Sequence, residues 1–269
     1  MTMTAEFLLR REVVRIGRML YDREYVAATD GNISVRLGPN RLLATPSGAC
    51  KGMLTAQELV VVDMQGQPTN WFGRRRCVSS EIGMHLLIYR LRPDVNAIVH
   101  AHPPTATGFA AAGIALDQPL IAEVVLALKS IPLARYATPG TNELQEALAP
   151  LVPDHDAILM ANHGVVAYGS DLMRAYLNMD VVEHFAQIAL VAQRLAAPNP
   201  LPQQEVSKLL RIRTKYCQVA AQRANGKSWA VLDRISPRQI IRRVLSQVGL
   251  ATVSVAGQVL TACYAHLWS

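Results

Sequence analysis

Cysteine is scarce and scattered in this chain of 269 residues: Cys50, Cys77, Cys217 and Cys263, with no Cys-x-x-Cys pair. That excludes a disulfide framework and a thiolate zinc knuckle, and it suits a reducing, cytoplasmic setting. Aromatic residues make up 6% and charged residues 17%, while 51% are hydrophobic, enough to bury a substantial core. The first twelve residues carry Glu6, Arg10 and Arg11 among short apolar pieces, so the long uncharged core of an export signal is missing.

A basic stripe with interleaved aromatics is also missing. The net charge of +7 divides unevenly: residues 211–269 hold nine Lys/Arg against Asp233, whereas the preceding 210 residues hold 18 basic and 19 acidic side chains. The excess therefore belongs to the tail, and the main domain does not read as a nucleic-acid binder. From Val244 to Trp268 the tail runs 25 residues without Asp, Glu, Lys or Arg. That length could cross a bilayer, but Gln247, Gln258, His266 and several hydroxyl residues favour a docked or interface segment over membrane contact. The expected division is a main domain over 1–213 and a basic extension of unassigned role over 214–269.

Along the main domain, residues 5–23 place apolar side chains at helical spacing. Ile33–Leu37 and Arg41–Thr45 alternate like two strands of a hairpin around Gly38-Pro39-Asn40. Thr55-Ala56-Gln57-Glu58 has capping-box spacing for a short helix, and 59–62 reads as a strand. Ser79-Ser80-Glu81 opens a predicted helix to about Leu91, which Pro93 ends. Strands are expected at 96–100, 157–160 and 165–168, and helices at 105–113, from 144, and at 171–195.

His100 and His102 are the sharpest local signal. Side chains at i and i+2 of a strand share a side, so the two imidazoles converge and one divalent ion can accept both at about 2.0–2.1 Å. The alternative is a pair of structural histidines at a strand end. His163, at the end of another predicted strand and next to Gly164, supplies a third imidazole, and three such ligands leave coordination positions open to substrate. Glu81 is a helix-dipole partner, or else a general base or an extra metal ligand. His85, one turn on, is either a support for Glu81 or a packed core histidine. Gly31-Asn32, Ser47-Gly48 and Ser79-Ser80 are small polar turns whose N–H and hydroxyl groups suit phosphate oxygens. Taken singly, each is also ordinary turn chemistry. Arg74-Arg75-Arg76 reads as a solvated loop or an added anion contact.

Thr29–Arg36, Thr45-Pro46-Ser47-Gly48, Ser79-Ser80-Glu81, His100-Ala101-His102-Pro103 and Asn162-His163-Gly164 occur in this order, joined by Tyr136–Leu144 and the helix at 171–195. Together they resemble the class II aldolase/adducin family over residues 6–210. The resemblance implies a single three-layer α/β domain with a central, largely antiparallel sheet flanked by helices. It implies zinc, or another divalent cation such as manganese, iron or cobalt, on His100, His102, His163 and Glu81. Glu81 and Tyr136 would be the catalytic acid/base groups, with Gly31, Asn32, Ser47, Gly48, Ser79 and Ser80 around a substrate phosphate. The implied reaction is carbon–carbon cleavage or formation in a short ketose phosphate through an enediolate stabilised by the metal. Decarboxylation, dehydration and 4-epimerisation use the same machinery, and non-enzymatic adducin-like scaffolds share the fold. Glu81 beside Ser79-Ser80, where the epimerase branch resembles Ser-Ser-Asp, leans to the aldolase branch. A homotetramer is the implied assembly.

Overall fold

In the computed structural model, residues 3–69 and 77–213 are described. The basic loop Arg74–Arg76 and the tail from Thr214 lie outside them, so the readings placed on those segments stay as sequence expectations. The described residues fall within one compact unit, Met1–Arg213.

Helix α1 (Met3–Asp22) leads through a turn to the antiparallel strands β1 (Asn32–Gly38), β2 (Arg41–Ala44) and β3 (Val60–Asp63). Between the last two, Thr55-Ala56-Gln57-Glu58 forms a 3-10 turn with the capping box its spacing predicts. The chain continues through α2 (Ile82–Leu91), β4 (Ala97–Ala101), α3 (Pro104–Ala111), α4 (Ala122–Leu128), β5 (Leu133–Ala134), α5 (Asn142–Leu148), β6 (Ala157–Met160), β7 (Gly164–Gly169) and α6 (Leu172–Leu195). Helix α4 and the two-residue β5 are not foreseen from the sequence. Both are too short to show a period, and tertiary packing decides them.

The strands form one seven-stranded sheet in the order β3-β2-β1-β4-β7-β6-β5, antiparallel throughout except for β5 on β6. Its two faces bury separate cores. Val99 of β4 and Val165 and Ala167 of β7 join one core with Ile16 of α1, Phe109 of α3 and Val182 of α6. Ile98, Val166 and Tyr168 point the other way, onto Ile88 of α2 and Leu144 and Leu148 of α5. The chain is thus a three-layer α/β domain, with the period-two alternation of the strands deciding which residues meet which helices.

That alternation positions the site. In β1, Ile33 and Val35 enter the first core, so Asn32 and Ser34 face α2. Asn32 pairs with His100 across the sheet, bringing the start of β1 and the end of β4 together. Gly31 precedes this pair at φ 69°, and a Cβ there would lie 2.5 Å from the His100 carbonyl oxygen, so only glycine fits.

Lys51 holds the neighbouring turns. It is 2% exposed, and its ammonium donates to the Thr29 carbonyl at 2.7 Å and the Ala49 carbonyl at 2.8 Å. Burial pulls its pKa down to about 8, with the charges of Asp30, Cys50 and Glu81 opposing the shift. Lys51→Met would keep the stem and orphan both carbonyls, so a loss of about 1–3 kcal/mol per unpaired group is expected in denaturant unfolding. A loss under about 0.5 kcal/mol would show that the turns hold without it.

Candidate metal centre and active site

His100, His102 and His163 come together at one end of the sheet, their potential ligand atoms within 4.8 Å of one another. His100 lies one residue before the end of β4, opposite Val166, and His102 stands just past the strand. His163 projects from the turn between β6 and β7, where Asn162 adopts φ 55° and Gly164 packs so closely that a Cβ would lie 2.4 Å from the His102 ring. The three rings meet edge to face, with centroids 4.8–5.2 Å apart.

Glu81 closes the group. Its side chain is 12% exposed, with Oε2 3.3 Å from His100 Nε2 and Oε1 3.2 Å from His163 Nε2. The helix predicted to open at Ser79-Ser80-Glu81 begins instead at Ile82, with Glu81 as its N-cap at φ −91° and ψ 9°. Glu81 makes no side-chain cap hydrogen bond. The helix-dipole reading therefore lacks its contact, because the carboxylate is turned onto the histidines.

The donor set fits a divalent cation. His100 Nδ1 donates to the Val165 carbonyl at 2.9 Å, and its Nε2 faces His102 Nε2 at 3.1 Å and Glu81 Oε2 at 3.3 Å. Bare, two imidazole nitrogens so close repel unless a proton or a cation lies between them. Glu81 Oε1 and His163 Nδ1 are buried without a hydrogen bond. Orphaned polar atoms of this kind mark a place where a further partner belongs. The carbonyl on His100 is the outer contact that fixes the tautomer of a metal-binding histidine.

The electrostatics agree with that fit. Burial opposes ionisation of Glu81, but hydrogen bonding and charge attraction to His100, then His163 and Asn32, outweigh it and hold the carboxyl well below the usual carboxylate range. Burial first, then His100, pushes His163 down to about 4. His102 is lowered for the same reasons, with Asp30 pulling the other way. Near neutral pH an ionised carboxylate therefore faces an imidazole, His163, with a free lone pair, the state that ligation requires.

The three small polar turns singled out from the sequence come together beside this cluster. Asn32 Nδ2 reaches Ser79 Oγ at 3.2 Å, and Ser47 N donates to the Cys77 carbonyl at 2.9 Å beside a bridge between Pro46 and Val78. Gly31 and Gly48 both lie in the left-handed region, at φ 69° and 70°. The backbone of Ser80 packs on Gly140. Tyr136 stays outside the cluster: it is 56% exposed, and no contact among the described residues joins it to Glu81 or to the histidines. One residue of the site was read from sequence without its partner. His85 contacts Asn32 and Ser34 rather than Glu81.

Residues 11–190 match the class II aldolase and adducin N-terminal domain. This chain belongs to that family. An L-fuculose phosphate aldolase of Methanococcus maripaludis is 34% identical over 192 residues, spanning 68% of this chain and 97% of its own. A 3-oxo-tetronate 4-phosphate decarboxylase of Escherichia coli K12 is 35% identical over 188 residues, spanning 68% of this chain and 86% of its own. The crystal structure of YgbL from Klebsiella pneumoniae superposes with a TM-score of 0.70 at 36% identity, covering 76% of this chain and 98% of that one. The fold is thus that of the class II aldolases, and relatives bearing the names of aldolases and decarboxylases make an enzyme the fitting class. No helix among the described residues is long and apolar enough to cross a membrane.

Metal analysis of the purified protein and of His102→Ala tests the centre. Near-stoichiometric divalent metal in the wild type, lost in the variant, is expected. Equal metal content in both would remove the basis for a site here.

Proposed function

We propose that the chain is a metal-dependent lyase of the class II aldolase type, acting on a short ketose phosphate by carbon–carbon cleavage or formation. The observation that carries this is a buried, ionised Glu81 set directly against three converging histidines. When bound there, a zinc ion or a divalent cation such as manganese, iron or cobalt supplies Lewis-acid polarisation of the substrate's carbonyl and hydroxyl oxygens.

The chain's own groups do the rest. His100, His102, His163 and Glu81 hold the cation, and Glu81 Oε1, which has no hydrogen bond, moves the proton on the carbon next to the carbonyl. The turns at Gly31-Asn32, Ser47-Gly48 and Ser79-Ser80 offer N–H and hydroxyl groups to the phosphate. Tyr136, which is exposed in the single chain, serves the oxygen of the departing fragment, at a site completed by assembly into a homotetramer. A reducing cytoplasm is the setting proposed for such an enzyme.

Decarboxylation is the second reading, and a specific observation favours it: a relative as similar as the aldolases is named a 3-oxo-tetronate 4-phosphate decarboxylase. Both reactions leave negative charge on a carbon beside a carbonyl, so the same residues serve both, and the group that leaves decides between them. A panel of ketose 1-phosphates, 3-oxo acid phosphates and unphosphorylated hydroxy acids, scored for aldehyde, isomer, water loss and carbon dioxide, separates the two. Aldehyde release from a ketose phosphate is expected. Carbon dioxide release from an oxo acid phosphate, with no aldehyde from any sugar phosphate, would transfer the chain to the decarboxylases.

A further inference from the structure

Asn32 and His85 form a polar pair beneath Glu81 that neither metal binding nor the phosphate turns account for. The carboxamide of Asn32 has two N–H donors, and both are engaged: Nδ2 reaches Glu81 Oε2 at 2.8 Å and Ser79 Oγ at 3.2 Å. A carboxylate only accepts, so it fixes which end of the amide faces it. The amide oxygen is therefore turned back to His85 Nε2, 2.5 Å away.

That oxygen can only accept, so His85 carries its proton on Nε2. His85 Nδ1 must then accept, and Ser34 Oγ lies 2.7 Å from it. Having spent its proton there, Ser34 accepts from the Tyr89 hydroxyl at 2.9 Å. The donors thus run in one direction, from Tyr89 through Ser34, His85 and Asn32 to Glu81. Reversing the chain would present the amide oxygen of Asn32 to the carboxylate, acceptor against acceptor. His85 is 1% exposed, and burial, with the charge of His100 adding to it and Glu81 opposing, pushes it down to about 3. Its imidazole is neutral near pH 7, as the chain requires.

We propose that His85 is a positioning residue that orients the Asn32 carboxamide to hold Glu81 Oε2, so that the Asn32 side chain serves the acid/base carboxylate and not the substrate phosphate. This rests on the reading of Glu81 as the group that moves the proton. It corrects the expectation that all of Asn32 belongs to the phosphate turn, and leaves that task to the backbone around Gly31 and to the other two turns. It also assigns Oε1 as the free oxygen of Glu81.

Nitrogen-15 NMR of histidine-labelled protein, metal-loaded and metal-stripped, tests the chain without any substrate. The His85 signal, identified by its absence from His85→Gln, is expected to be that of the neutral ring protonated at Nε2 from about pH 5 to 8. A ring protonated at Nδ1, or a cation in that range, would overturn the proposal. Kinetics then test the connection to Glu81. Asn32→Leu and His85→Leu should each lower kcat by about 10- to 100-fold with KM for the phosphorylated substrate little changed. Their combination should cost no more than Asn32→Leu alone. Costs that multiply in the double variant, or a raised KM with kcat intact in Asn32→Leu, would sink the idea. If His85→Leu does not fold, His85→Gln keeps a donor near the Nε2 position and should retain most of kcat; a loss as deep as that of Asn32→Leu counts against the proposal. Wild-type protein that turns over none of the panel would defeat the reaction assigned to the site, and the NMR result would still decide the hydrogen-bond chain.

Discussion

A carboxylate taken out of water must be compensated by charge or hydrogen bonds, or it gives up its ionisation. Glu81 is such a group, and the architecture around it reads as the compensation. Asn32 donates to Oε2, and His100 and His163 bring ring nitrogens to 3.3 and 3.2 Å from the two oxygens, where a cation would complete the compensation. Each of these comes from a different element: the first residue of β1, the end of β4 and the turn between β6 and β7. The sheet register that sets Asn32 opposite His100, and the glycines at 31 and 164 that let the backbones close on each other, exist for the same convergence. Removing any one partner leaves a buried charge or lone pair without its counterpart, a costly change in a low-dielectric interior.

The proposed roles of the cluster would also suit more than one of the reactions named among its relatives. On the proposed reading it would offer a place to hold a cation, a carboxylate oxygen to move a proton, and turns to anchor an anionic group. None of these specifies which bond is broken. Selectivity would then lie with groups that touch the far end of the substrate, the part proposed for Tyr136, which is exposed in the isolated chain.

Much of this was legible in the residues. The alternation of β1 and β4, the His-x-His at a strand end and the turn before Gly164 announce their roles because periods of two and positive-φ turns have few alternatives. Glu81, His85 and Tyr89 recur every four residues, and Asn32 and Ser34 every two, so a helix face and a strand face that must meet were both written in the sequence. Their meeting was not, because it depends on which face of the sheet α2 covers, a property of the whole packing. For the same reason the polar partner of His85 was hidden, and the short α4 and β5 gave no period to detect. Serine and glutamate at 79–81 suit a helix N-terminus, and Glu81 is indeed the N-cap of α2, but the structure turns its carboxylate inward onto the histidines rather than onto the helix end.

The central claim is that Glu81 moves the proton and does not merely hold the metal or begin a helix. Glu81→Gln keeps the shape and removes the basic oxygen. The most direct measurement is solvent-deuterium exchange of the carbon-bound proton next to the carbonyl of a ketose-phosphate cleavage product, followed in a folded, metal-loaded variant. A loss of about 10²- to 10⁴-fold in the exchange rate is expected, with the fold retained. Near-normal exchange by that variant would contradict it and move the proton to another group.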